Sequence, residues 1–73
     1  MININYRRIK IGKKLRKLRI EEGKTQKDIA DLFGISEGAV GMYEQGRRVP
    51  NDEIKRKYAL LFKKSVDEIF FTF

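Results

Sequence analysis

The sequence predicts an all-α domain of five short helices, and three observations carry that prediction. Apolar residues recur three and four positions apart from Ile11 onward, which is the period of one helix face. Threonine, serine or asparagine stands just before the later runs and glycine just after several of them, the punctuation of helix starts and stops. With 73 residues the chain has room for one domain and one small core, so the helices must share a single compact bundle.

Taken in order, Ile2, Ile4 and Tyr6 alternate with asparagine in a strand-like period of two. A helix follows from about Arg8 to Glu22 with Ile11, Leu15 and Leu18 on one face, and Gly23 and Lys24 break it. Thr25 N-caps the second helix, Asp28 sits in its first turn, and Ile29, Leu32 and Phe33 form its apolar stripe. Gly34 ends it in a left-handed turn that glycine adopts freely. Ile35 plugs the core and Ser36 opens the third helix. Val40 and Tyr43 face inward there, while Glu37, Gly38, Gly41, Met42 and Gln45 look outward, and Gly46 closes it. Pro50 stops any continuation, so Asn51 caps a fourth helix that turns Ile54, Tyr58, Leu61 and Phe62 inward and ends near Lys63. Ser65 caps the last helix, with Asp67 and Glu68 at its positive end and Val66, Ile69 and Phe70 closing the core.

The whole chain, 1–73, reads as one domain with terminal extensions at 1–6 and 70–73. The tail Ile69, Phe70, Phe71, Thr72, Phe73 is too apolar to be left in water. Two readings stand. The tail pairs as a short strand with Ile2 to Tyr6, within one chain or across a dimer, so that Ile69, Phe70, Phe71 and Phe73 join two subunits. Alternatively its phenylalanines fold back onto the last helix.

Composition narrows the function classes. The chain contains no cysteine and no histidine, which removes thiol nucleophiles, imidazole bases and the usual zinc sets. Nothing points to an enzyme, a cofactor or a metal. The absence of cysteine fits a reducing, cytoplasmic setting, and neither a membrane-length apolar run nor a signal-peptide pattern is present. The formal charge of +7 suits a polyanionic partner. Up to Lys24, nine basic residues face only Glu21 and Glu22, so the excess sits on the first helix.

The stretch from Thr25 to Pro50, TQKDIADLFGISEGAVGMYEQGRRVP, is the most informative part of the chain. Two short helices around a glycine turn, here spanning 25–46, are the signature of a DNA-reading helix-turn-helix. Gln26, Ile29, Ala30, Phe33, Gly34, Ile35, Val40 and Tyr43, followed by MYEQGRRVPN and SVDEIFF, resemble the Cro/C1-type (XRE) helix-turn-helix of phage repressors and small bacterial regulators. The resemblance runs from about Ile11 to Phe70. It implies a lambda-repressor-like five-helix fold in a protein of bacterial or phage origin. The expected function is repression from a roughly palindromic operator in double-stranded DNA, by a dimer because one short helix with few polar readers gives limited affinity.

In that architecture the helix at 36–45 enters the major groove with its first turn at the base edges. Ser36, Glu37, Gly38, Ala39 and Met42 are then the base-contacting candidates. Glu37 can accept from a cytosine amino group, and Ala39 or Met42 can pack on a thymine methyl. The resemblance assigns phosphate contacts to Gln26, at a helix N-terminus, and to Arg47 and Arg48, with Lys27 and Gln45 as further candidates and Lys13, Lys17 and Lys24 behind them. It also implies that Arg19 and Glu44 form a partly buried ion pair with a structural role. Gly38 and Gly41 depart from the family, whose members often carry glutamine, serine or arginine at such positions. Each glycine costs the helix about 1 kcal/mol relative to alanine. Either the backbone approaches DNA closely there, or packing alone tolerates both. The alternative function is an antitoxin or phage-type adaptor that binds a protein partner through the apolar tail.

Overall fold

The computed structural model describes residues 4–72, which form α1 (Ile4–Glu21), α2 (Gln26–Phe33), α3 (Glu37–Glu44), α4 (Asp52–Phe62) and α5 (Val66–Phe70). From α2 onward each helix starts at a side chain that accepts an otherwise orphaned backbone amide. Thr25 Oγ1 accepts from Asp28 N at 3.0 Å while Asp28 Oδ2 accepts from Thr25 N at 2.9 Å. Ser65 and Glu68 repeat this reciprocal box at 3.0 and 2.9 Å, and Ser36 and Asn51 make the single cap at 3.0 Å each. Both boxes hold their carboxylates below the usual range, chiefly because the backbone N–H of the cap residue donates to them.

Helix ends obey the same local logic. Gly34 ends α2 at φ 69°, and its amide donates to Ala30 O. Gly46 follows α3 at φ 77°, and a side chain there would also meet the backbone of Ile9 at 2.9 Å. Glycine is therefore required twice over at this position.

The core gathers Ile11, Leu15, Ile29, Phe33, Val40, Tyr43, Ile54, Phe62, Ile69 and Phe70 around Tyr58. The Tyr58 ring meets Phe33 edge-on at 4.8 Å and 86°, and stacks on Phe62 at 5.7 Å and 27°, arrangements that aromatic quadrupoles favour. Its hydroxyl is buried with no partner among the described residues, and burial pushes the phenol well above its usual pKa. The Lys57 ammonium donates to the free Phe33 carbonyl at 3.0 Å, tying α4 to the end of α2. Lys14 on α1 donates to the Glu68 carbonyl and ties α1 to α5.

Gly12 lets α1 and α3 touch. A Cβ at this position would lie 2.7 Å from the Tyr43 carbonyl oxygen and closer still to that of Glu44. The two helices cross backbone to backbone, and only glycine leaves the space.

Three expectations need correction. Ile4 to Tyr6 are helical, and no strand occurs among the described residues. Extending an existing helix adds a hydrogen bond per residue fixed, whereas an isolated pair of short strands is marginal; Ile2, Asn3 and Phe73 lie outside the described residues. Leu32 is exposed because the inward face of α2 is set by Ile29, Ala30 and Phe33, which leaves position 32 beyond its edge. The tail also divides: Ile69 and Phe70 belong to the chain's own core, while Phe71 is exposed with the Lys55 ammonium 5.0 Å from its ring centre. Ile69 and Phe70 close the core as residues of the last helix itself.

Candidate nucleic-acid interface

The site is built on the capped turn between α2 and α3. With Gly34 ending one helix and Ser36 starting the next, Val40 and Tyr43 are drawn into the core and the opposite edge of α3 is left open. Glu37, Gly38, Met42 and Gln45 are exposed on that edge. Gln26 from the start of α2 and Arg47 from the loop after α3 join Glu37, Gly38, Gly41, Met42 and Gln45 around one shallow depression of about 540 Å³. Three of the base-contacting candidates and three of the phosphate-contacting candidates therefore share one surface. Arg47 is placed by the helix end: its amide donates to Met42 O at 3.0 Å across the left-handed Gly46.

The other candidates lie around this depression or apart from it. Ser36 is exposed, but its oxygen already accepts the Ala39 amide, so the hydroxyl hydrogen is what it can offer another group. Ala39 is half-buried and packs against the core, leaving part of its methyl outward. Arg48 is exposed beside Arg47. The Lys27 ammonium pairs with Asp31 at 3.0 Å on the outer face of α2, and that hydrogen bond raises its pKa. Gly41 was expected outward and is buried, because the Gln26 side chain lies over it.

Beneath the depression runs a polar chain. Arg19 Nε and Nη2 donate to Glu44 Oε2 and Oε1 at 2.6 and 3.0 Å, a bidentate pair with both side chains largely buried. The hydrogen bond to Glu44 raises the Arg19 pKa, against the opposing effect of burial. Arg19 Nη1 also donates to the Lys24 carbonyl at 2.8 Å. Gln26 Nε2 then donates to Glu44 Oε1 at 3.1 Å. The ion pair thus does more than join α1 to α3: it orients the one polar side chain that α2 sends into the depression. An amide nitrogen carries two hydrogens, so Gln26 keeps one for an anion.

Gly38 and Gly41 have ordinary space in the free protein. A Cβ at Gly38 would meet only Ser36 Oγ, at 3.9 Å, and one at Gly41 only Gln26 Oε1, at 3.8 Å. Packing does not demand either glycine. Gly12 and the Gln26–Glu44 bond escaped the reading of the sequence. A glycine inside a helical run was the available signal for the first; the second depends on a contact between residues far apart in the chain.

Among the described residues no helix is long and apolar enough to cross a membrane, and no cluster of acidic side chains could hold a metal. The chain matches the family described as Helix-turn-helix over residues 15–69. No curated protein matches it. Among solved structures it is similar to the restriction-modification controller protein C.AhdI from Aeromonas hydrophila, at 32% identity and a TM-score of 0.76, over 85% of this chain and 94% of that one. Matched over most of its length by the family and similar in fold to that structure, the chain belongs to the Cro/C1-type (XRE) helix-turn-helix family of DNA-binding transcription regulators.

Proposed function

We propose that the chain is a sequence-specific regulator that binds double-stranded DNA as a homodimer on a roughly palindromic operator, with α3 in the major groove, and that it acts as a repressor. The observation that supports this most is the shared depression, where the open edge of α3 meets Gln26 and Arg47. Glu37 and Met42 read base edges there, Gln26, Gln45, Arg47 and Arg48 hold the backbone, and phosphate contacts set the register. One short helix with two glycines on its reading side gives limited discrimination. Two half-sites about one helical turn apart would supply the remainder.

A second reading is favoured by the likeness to C.AhdI: the chain is itself a controller of restriction-modification genes. The adaptor alternative loses its main support, since Ile69 and Phe70 are core residues rather than a free apolar tail.

Selection of bound sequences from random duplex DNA at two salt concentrations tests the proposal. A palindromic motif enriched at both, with sedimentation of two chains per duplex, is the expected result. Enrichment of no motif overturns sequence-specific regulation, and one chain per duplex overturns the dimer.

A further inference from the structure

The solvent side of α1 carries a second pattern that the core does not use and none of whose residues lines the depression at α3. Tyr6, Ile9, Lys13, Arg16 and Ile20 follow one another at steps of three, four, three and four, the spacing of a coiled-coil seam. Ile9 and Ile20 are 45% and 51% exposed, Tyr6 is 48% exposed with the Lys10 ammonium over its ring, and Lys13 and Arg16 are exposed. Lys13, Arg16, Lys17, Ile20 and Glu21 line a shallow, mainly apolar depression of about 440 Å³. The seam therefore has apolar ends and a doubly cationic middle. It lies about a quarter of a turn round the helix from Gly12 and Arg19, the residues through which α1 meets α3.

We propose that this face of α1 docks one acidic amphipathic helix of a protein partner, apolar side chains against Ile9 and Ile20 and carboxylates against Lys13 and Arg16. Charge complementarity selects the occupant. A second copy of α1, parallel or antiparallel about Lys13, brings Lys13 onto Lys13, and like charges at a seam destabilise it. A DNA backbone satisfies the cations but offers nothing to cover two exposed isoleucines. An acidic helix does both, and the seam is short enough that the contact is a transient one. The proposal goes beyond DNA regulation and stands independently of the operator.

The test uses the full chain, isotope-labelled for amide NMR, and a lactam-stapled three-heptad peptide with leucine at the seam ends and glutamate at the seam centre. A twin peptide carries lysine in place of glutamate. The acidic peptide should shift amides of α1 around residues 6–20, with and without random-sequence duplex DNA present. The double variant K13E/R16E should weaken the acidic peptide by about tenfold or more and admit the basic twin. Ile20→Gln should weaken both peptides. Because all three side chains are exposed, circular dichroism should show an unchanged fold. Shifts centred on α3 and Arg47, or no binding of the acidic peptide, would overturn the proposal. So would a loss of DNA affinity in Arg16→Gln as large as that of Arg47→Ala, which would assign the face to phosphate.

Discussion

Gln26 Nε2 lies 3.1 Å from Glu44 Oε1, the same oxygen that accepts Arg19 Nη2 at 3.0 Å. A residue at the surface is thereby held by a pair buried beneath it. Gln26→Ala leaves the ion pair intact and removes one part-buried hydrogen bond, a loss of about 1 kcal/mol. It should weaken DNA binding evenly across sequences, as a phosphate contact does. Glu44→Gln leaves the Arg19 charge uncompensated and should cost about 3 to 5 kcal/mol. Thermal unfolding and binding measured side by side check both; equal stability losses in the two variants would contradict this division of roles.

Gly12→Ala should be strongly destabilising although alanine is the better helix former. The added methyl would press on the Tyr43 and Glu44 carbonyls, and overpacking of this kind costs about 1 to 3 kcal/mol. Denaturant titration measures it, and an alanine variant as stable as the parent would show that α1 can move off α3 freely.

Gly38→Ala and Gly41→Ala should do the opposite in the free protein. Both positions have van der Waals room for a methyl, so each substitution should stabilise α3 by up to about 1 kcal/mol and raise the melting temperature by roughly 4 to 8 °C per kcal/mol. DNA binding should fall, because the backbone edge would no longer reach as close to the base pairs. Affinity kept at the parent level would mean that close backbone approach is not used.

Tyr58→Phe should leave the ring contacts with Phe33 and Phe62 in place and remove a buried hydroxyl that has no partner among the described residues. Stranding such a group costs about 1 to 3 kcal/mol, so the variant should be more stable. A lower denaturation midpoint would reveal a hydrogen bond that the hydroxyl makes after all.

The capping boxes contribute to the acid sensitivity of the fold. Asp28 and Glu68 are held below the ordinary carboxylate range by the Thr25 and Ser65 amides. Carboxylates with depressed native pKa values contribute stability above their unfolded-state range, and that contribution disappears as pH falls through the native values. The melting temperature should therefore decline below about pH 4, with a shallower decline in Asp28→Asn and Glu68→Gln. An acid limb of unchanged slope in the double variant would place the sensitive carboxylates elsewhere.

Much of this molecule was legible in one dimension because its signals are local. A cap such as Thr25 with Asp28, a left-handed glycine such as Gly34, and the spacing of Val40 and Tyr43 act within a few residues, so helix number, order and the exposed edge of α3 follow from the sequence. Local signals also produced the errors. The alternation of Ile2, Ile4 and Tyr6 says strand only if another strand is there to pair, and the described part of it continues α1 instead. Of the two roles the sequence allowed Ile69 and Phe70, closing the core and joining subunits, the structure shows the first.

What the tertiary structure alone decided are the contacts between residues distant in sequence. The crossing at Gly12, the burial of the Tyr58 hydroxyl, and the bond by which Glu44 steers Gln26 depend on how α1, α2, α3 and α4 meet in space. The sequence by itself determined a capped five-helix scaffold with a helix-turn-helix at its centre. The packing decided which of its polar groups are held ready at the surface, because only a folded core brings Arg19 and Glu44, 25 residues apart, together beneath Gln26.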